Sequence, residues 1–195
     1  GAGNSASGLK STAVGFKSTA SGTNSSSFGN YSTATASFAN AVGSKNTCTE
    51  IASCTFGHYN LVNTGGATKA AAFGVYNGST ATYCSAFGVR NSSTASKASS
   101  FGYFNTASGA RSSAIGYNST ASAIYTSAMG YKSTAAAQKS SVFGYKSTAT
   151  SGSTNSVVVG RSNFTSATSV SATVVGVLNN QTGGTLDSVG AISGT

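Results

Sequence analysis

Glu50 and Asp187 are the only carboxylates in this 195-residue chain, His58 is its only imidazole, and Cys48, Cys54 and Cys84 are its only thiols. General acid–base catalysis, nucleophilic triads, glycosidase carboxylate pairs and oxygen-rich cation cages all need more ionisable groups, set closer together. The three cysteines do not follow the paired spacing of a zinc site. We therefore expect no enzyme: no catalytic residue, no metal and no cofactor.

The side chains that remain are suited to recognition. Tyr103, Tyr117, Tyr131 and Tyr145 recur at one constant interval, and Lys132 and Lys146 follow the last two. Aromatic rings interleaved with cations can stack on sugar rings and hold anionic glycans, so these six residues form the candidate ligand surface. The same pattern also fits tyrosines that stiffen a corner while lysines keep an edge soluble. A second periodic file includes Thr19, Thr33, Thr47, Thr120, Thr134 and Thr148. It resembles the flat threonine ladders of ice-binding solenoids, although threonine is also an ordinary solvent-facing strand residue.

The elements that position these files follow from the period. Glycine stands at 1, 15, 29, 43 and 57, at 74, 88, 102, 116, 130 and 144, then at 160, 176 and 190. The longer steps, from Gly57 to Gly74, Gly144 to Gly160 and Gly160 to Gly176, read as insertions near 64–66, 151–154 and 168–171. The residue before the glycine is apolar throughout, as at Phe28, Phe56, Phe73, Phe87, Phe101, Ile115, Met129 and Phe143. A disordered chain has no use for such a column. Small polar and β-branched residues make poor helices. Short alternating runs broken by glycine read instead as strands joined by tight corners. Two strands and two corners in each 14-residue period make one coil of a β-solenoid, and about fourteen stacked coils are expected, forming one slender rod.

Side-chain parity assigns the faces. Three and five residues after the glycine the chain is small (Ser18 and Ala20, Ser133 and Ala135), as it is four and two before it (Ala70 and Ala72, Ser112 and Ala114). Strand alternation puts each pair on one face, and a thin interior admits only such residues. Cys48 and Cys84 share this inward parity, and Cys54 the outward one. The column of Phe28, Phe56, Phe73, Phe87, Phe101, Ile115, Met129 and Phe143 then faces outward, an apolar stripe that a symmetric oligomer would cover. The opposite assignment, aromatic core and alanine surface, is disfavoured because the aromatic parity also carries Lys69, Lys97, Arg111 and Lys139.

Composition agrees. Ser, Thr, Ala and Gly supply 119 residues, only 7% are charged, and Pro and Trp are absent. Helix bundles and coiled coils are poor fits, and no run approaches the ~20 apolar residues of a membrane-spanning helix. The net charge of +9 comes from eleven basic residues scattered singly, so we expect no nucleic-acid partner. Gly1 sits in register, which leads us to expect further coils before it.

The segments SSAIGYNSTA (112–121) and SSVFGYKSTA (140–149) resemble the repeats of trimeric autotransporter adhesin heads, the YadA-like heads. The resemblance covers roughly 1–176 and implies an all-β, left-handed parallel β-roll (a β-solenoid) built of 14-residue coils, three chains around an axis, and an extracellular fibre. It also implies attachment to a host-surface glycan or protein, with no membrane insertion by this segment. Phage and virus fibres resemble the same repeats, so a structural fibre segment is a further reading. Residues 177–195, where the pattern weakens, are expected to form a final coil, a cap or the start of a neck.

Overall fold

The computed structural model describes residues 1–63, 68–168, 170–178 and 180–181. Each coil contributes a five-residue strand with the periodic glycine at its fourth position, a two-residue corner, a two-residue strand and a longer second corner. The chain divides into two compact units, Gly1–Lys97 and Ala98–Thr195. The first stacks six long strands, Thr12–Phe16 to Ser85–Val89, and seven short ones, Ser5–Ala6 to Ser92–Ser93. The second stacks six long strands, Ser99–Tyr103 to Thr173–Val177, and six short ones, Thr106–Ala107 to Asn180–Gln181.

Within each unit the pairing is parallel and the register is one coil. Phe73 lies opposite Phe87 and Gly74 opposite Gly88; Ala114 lies opposite Ala128 and Gly116 opposite Gly130. The fold is therefore an all-β parallel β-solenoid with a 14-residue turn, and the described residues form about twelve turns. Gly1 precedes the first long strand, and Gly190 lies outside the described residues. So do the expected insertion at 64–66 and all but a few residues of the expected cap.

The core is built from the small columns. Ala20, Ala34, Ala72, Ala86, Ala114, Ala128 and Ala149 are all fully buried. The interior also admits more than the sequence suggested, since Val62, Val142, Val158 and Val174 are sealed there too. The aromatic column faces outward: Phe56 keeps 54% of its surface exposed, Phe28 40% and Phe101 38%. Phe73, Phe87, Ile115 and Met129 are half-buried against coil neighbours. In this thin interior the stacked backbones approach so closely that only small side chains fit between the two walls.

Many of the buried polar groups are satisfied by a repeated device. Three residues after the glycine stand Asn46, Asn60, Asn77, Asn91, Asn105 and Asn163, all buried. The Asn77 amide donates to the Phe73 carbonyl of its own coil and to the Gly88 carbonyl of the next, at 2.8 and 2.6 Å. Its side-chain oxygen accepts from the Asn91 backbone N–H at 2.9 Å. Where serine takes this place the hydroxyl makes the same inter-coil bond, as from Ser133 to Gly144 at 2.8 Å. A buried donor and acceptor left unpaired would cost about 1–3 kcal/mol, so the ladder holds the fold as well as decorating it.

The corners are left-handed. Among the described residues, twenty-four that are not glycine have φ between +51° and +60°. Among the described coils they fall two residues after the periodic glycine, as Lys132 and Lys146 do, or five before it, as Lys69 and Arg111 do. None is Thr, Val or Ile, although the chain holds 26 threonines. β-Branching clashes most with this backbone region. Corner amides are tied to the preceding coil, as Lys132 N–H is to the Tyr117 carbonyl and Lys146 N–H to that of Tyr131, both at 2.8 Å.

Candidate functional site

Tyr103, Tyr117, Tyr131 and Tyr145 each end a long strand of the second unit, in mutual register. Parallel in-register stacking sets consecutive residues one strand spacing apart, about 4.8 Å, which falls within the centroid separations of offset-stacked rings. The rings accordingly lie face to face, with centroids 5.2, 5.0 and 4.9 Å apart and planes within 15°. The faces expected to receive a sugar are covered by one another. What the file presents is ring edges and phenolic oxygens, which are hydrogen-bonding groups.

Cations flank these edges. Lys132 Nζ stands 5.5 Å from the Tyr131 centroid and Lys146 Nζ 5.2 Å from that of Tyr145. Both lysines are exposed. Arg161, which the sequence reading passed over, occupies the tyrosine column on the following coil, directly opposite Tyr145. Its guanidinium lies 5.9 Å from the Tyr145 ring centroid. The signal that would have found it is its place immediately after Gly160. At the other end of the file Phe104 packs edge-on against Tyr103 at 4.7 Å.

The first unit carries a shorter aromatic group. Tyr59 and Tyr76 stack at 4.9 Å, and His58 meets both edge-on. Lys45 Nζ donates to the Tyr59 hydroxyl, and that bond raises the Lys45 pKa above its ordinary value. Glu50, the only carboxylate among the described residues, is buried and not available as a surface acid.

The expected oligomer face is continuous within each unit. Phe73 and Phe87 stack at 4.9 Å in the first, and Phe101, Ile115, Met129 and Phe143 align in register in the second. The three cysteines are free. Burial pushes the Cys48 thiol up to about 11 and raises those of Cys54 and Cys84 as well, which suppresses thiolate chemistry near neutrality. No group of three or more His, Cys, Asp or Glu able to hold a metal ion occurs among the described residues.

No curated protein matches the chain. The family described as YadA head domain repeat (2 copies) matches residues 6–32, 20–45, 93–119, 107–133 and 121–147. In the first unit these matches include Phe28 and its neighbours; in the second they include the tyrosine file from Tyr103 to Tyr145. These stretches match YadA head domain repeats, and the 14-residue parallel β-solenoid that carries them matches a YadA-like head.

Proposed function

We propose that the chain is a non-enzymatic attachment module of a surface-exposed fibre. In this reading it assembles as a homotrimer through its aromatic column and binds a cell-surface glycan or matrix protein. YadA head repeats imply adhesin-like function, and the trimer, the ligand and the location extend that assignment. The single observation carrying the reading is the outward column of Phe28, Phe56, Phe101 and Phe143, which exposes large rings while alanine fills the core. Contiguous apolar surface of several hundred Å² marks an interaction site, and cyclic symmetry covers a repeated stripe with copies of itself.

Sedimentation equilibrium tests the assembly. A trimer that dissociates when Phe56, Phe101 and Phe143 become lysine is expected; a monomer at micromolar concentration overturns it. Binding to arrayed glycans and matrix proteins tests the attachment. A second reading rests on the in-register alignment of Thr106, Thr120, Thr134 and Thr148 on four successive coils. It expects thermal hysteresis that disappears when Thr120, Thr134 and Thr148 become lysine.

A further inference from the structure

The basic residues are scattered along the sequence but aligned by the fold. Ten of the eleven occupy left-handed corners, Arg161 being the exception. In the second unit Lys132 and Lys146 hold the same corner on consecutive coils. Arg161 extends the adjoining column by one more coil. Three cations thus stand on three successive coils, over a distance of about 10 Å at the strand spacing. All three are exposed, and the described residues of this unit include no Asp or Glu. Like charges this close repel within one Debye length. An anionic partner relieves that repulsion.

We propose that this edge of the second unit binds a linear anionic glycan, bearing sulfate or uronic carboxylate groups, through Lys132, Lys146 and Arg161. The inference rests on the attachment reading above and names its ligand class. Three features favour it. The ring faces of Tyr131 and Tyr145 are closed against each other, so affinity for a neutral sugar by face stacking is lost and charge must carry the contact. The phenolic oxygens beside the cations suit a hydroxyl-rich ligand. The coils present one cation per step, which fits a polymer whose anionic groups repeat along an extended chain.

Single-stranded nucleic acid is the competing polyanion. It relies on bases stacking on free aromatic faces, and the faces between Tyr103 and Tyr145 are closed against one another. A duplex would have its phosphates neutralised by a broader basic surface than one column of three.

The test uses heparin, chemically desulfated heparin, a neutral glucan and a single-stranded oligonucleotide of matched charge, each titrated against the full chain at two salt concentrations. The variant replaces each cation by a residue this chain already carries in the same column: Lys132→Asn and Lys146→Asn, as at Asn118, and Arg161→Tyr, as at Tyr145. Lys132→Arg with Lys146→Arg is the charge-preserving control. Thermal melting checks that all variants fold.

We expect heparin binding that weakens with salt, falls about tenfold or more on desulfation and in the triple variant, and persists in the arginine control. Equal binding of sulfated, desulfated and neutral glycans overturns this inference and leaves the attachment reading standing. An unaffected triple variant overturns the assignment to these three residues. Tighter binding of the oligonucleotide overturns the choice of glycan. No binding to any glycan overturns the inference, and failure on matrix proteins as well removes the attachment reading with it.

Discussion

The Asn60 side-chain amide donates to the Gly74 carbonyl oxygen of the next coil at 2.7 Å, and to the Phe56 carbonyl of its own coil at 2.9 Å. The same side chain accepts from the Asn77 backbone N–H at 3.0 Å. One buried residue thus ties three backbone groups across two coils. Asn60→Ala leaves those groups unpaired and is expected to cost about 2–4 kcal/mol. Asn60→Ser retains the inter-coil bond that Ser18 makes to Gly29 and is expected to cost about half as much. Urea denaturation of both variants measures the difference.

Gly116 combines a φ of +119° with close packing, since a Cβ built there would lie 2.1 Å from the Gly130 carbonyl oxygen. Gly116→Ala is expected to destabilise by about 3 kcal/mol or more. At Gly78 an added Cβ meets nothing within 4 Å. Gly78→Thr, matching the threonines of the same column, is expected to be neutral or to stabilise by up to about 1 kcal/mol. A shared thermal-melt series distinguishes the two glycines.

The hydroxyls of Ser25 and Ser112 are buried without a partner, in a column that elsewhere holds Ala39, Ala70 and Ala98. Ser25→Ala and Ser112→Ala are therefore expected to stabilise, by about 0.5–1.5 kcal/mol each. A loss of stability in both would show that these hydroxyls do make bonds. Calorimetric melting reads the sign directly.

Cys48 gives the first unit an alkaline weakness. Its thiol ionises near 9 when unburied but only at about 11 in the fold. Between those values the unfolded chain releases a proton that the folded chain keeps, so stability is intact below about pH 9 and falls as pH rises toward 11. The loss attributable to this group approaches about 2–3 kcal/mol at the upper end. Cys48→Ala introduces the residue found at Ala34 in the same column and should abolish that part of the pH dependence. Subtracting its unfolding free energies from those of the parent chain at pH 8 and pH 10.5 isolates it from tyrosine and lysine titration.

Ala52 occupies a left-handed corner at φ 54° with no long side chain to justify the strain. Ala52→Gly is expected to stabilise by about 0.5–1 kcal/mol and Ala52→Val to destabilise by at least as much. Chemical denaturation of the pair, compared with parent, decides whether backbone strain or corner packing dominates.

The strand parity was legible in the sequence because alanine and phenylalanine differ so much in size that only one of them fits a thin interior. Phe56 outside and Ala72 inside follow from that contrast. The corner geometry was harder to read, because Lys146 and Tyr59 are not the residues that usually mark a left-handed turn. Its trace is negative: among the described residues no β-branched residue stands at those positions. The stacking of Tyr131 on Tyr145 was hidden for a different reason. Spacing along the chain identifies a column, but only the distance between coils says whether ring faces are open. Arg161 was missed because it changes residue type after four successive tyrosines, Tyr103, Tyr117, Tyr131 and Tyr145, in the same column.

The one-coil register also bears on how the chain reaches its native alignment. Among the coils from Gly102 to Gly144, sliding one strand past its neighbour by a full repeat places glycine on glycine in the long strands and alanine on alanine in the short ones. Such a slip preserves side-chain chemistry and therefore makes a kinetic trap. The longer step from Gly144 to Gly160, with its extra turn residues at 151–155, has no counterpart among those coils. It acts as an index mark, and removing its two surplus residues should multiply misaligned forms during refolding.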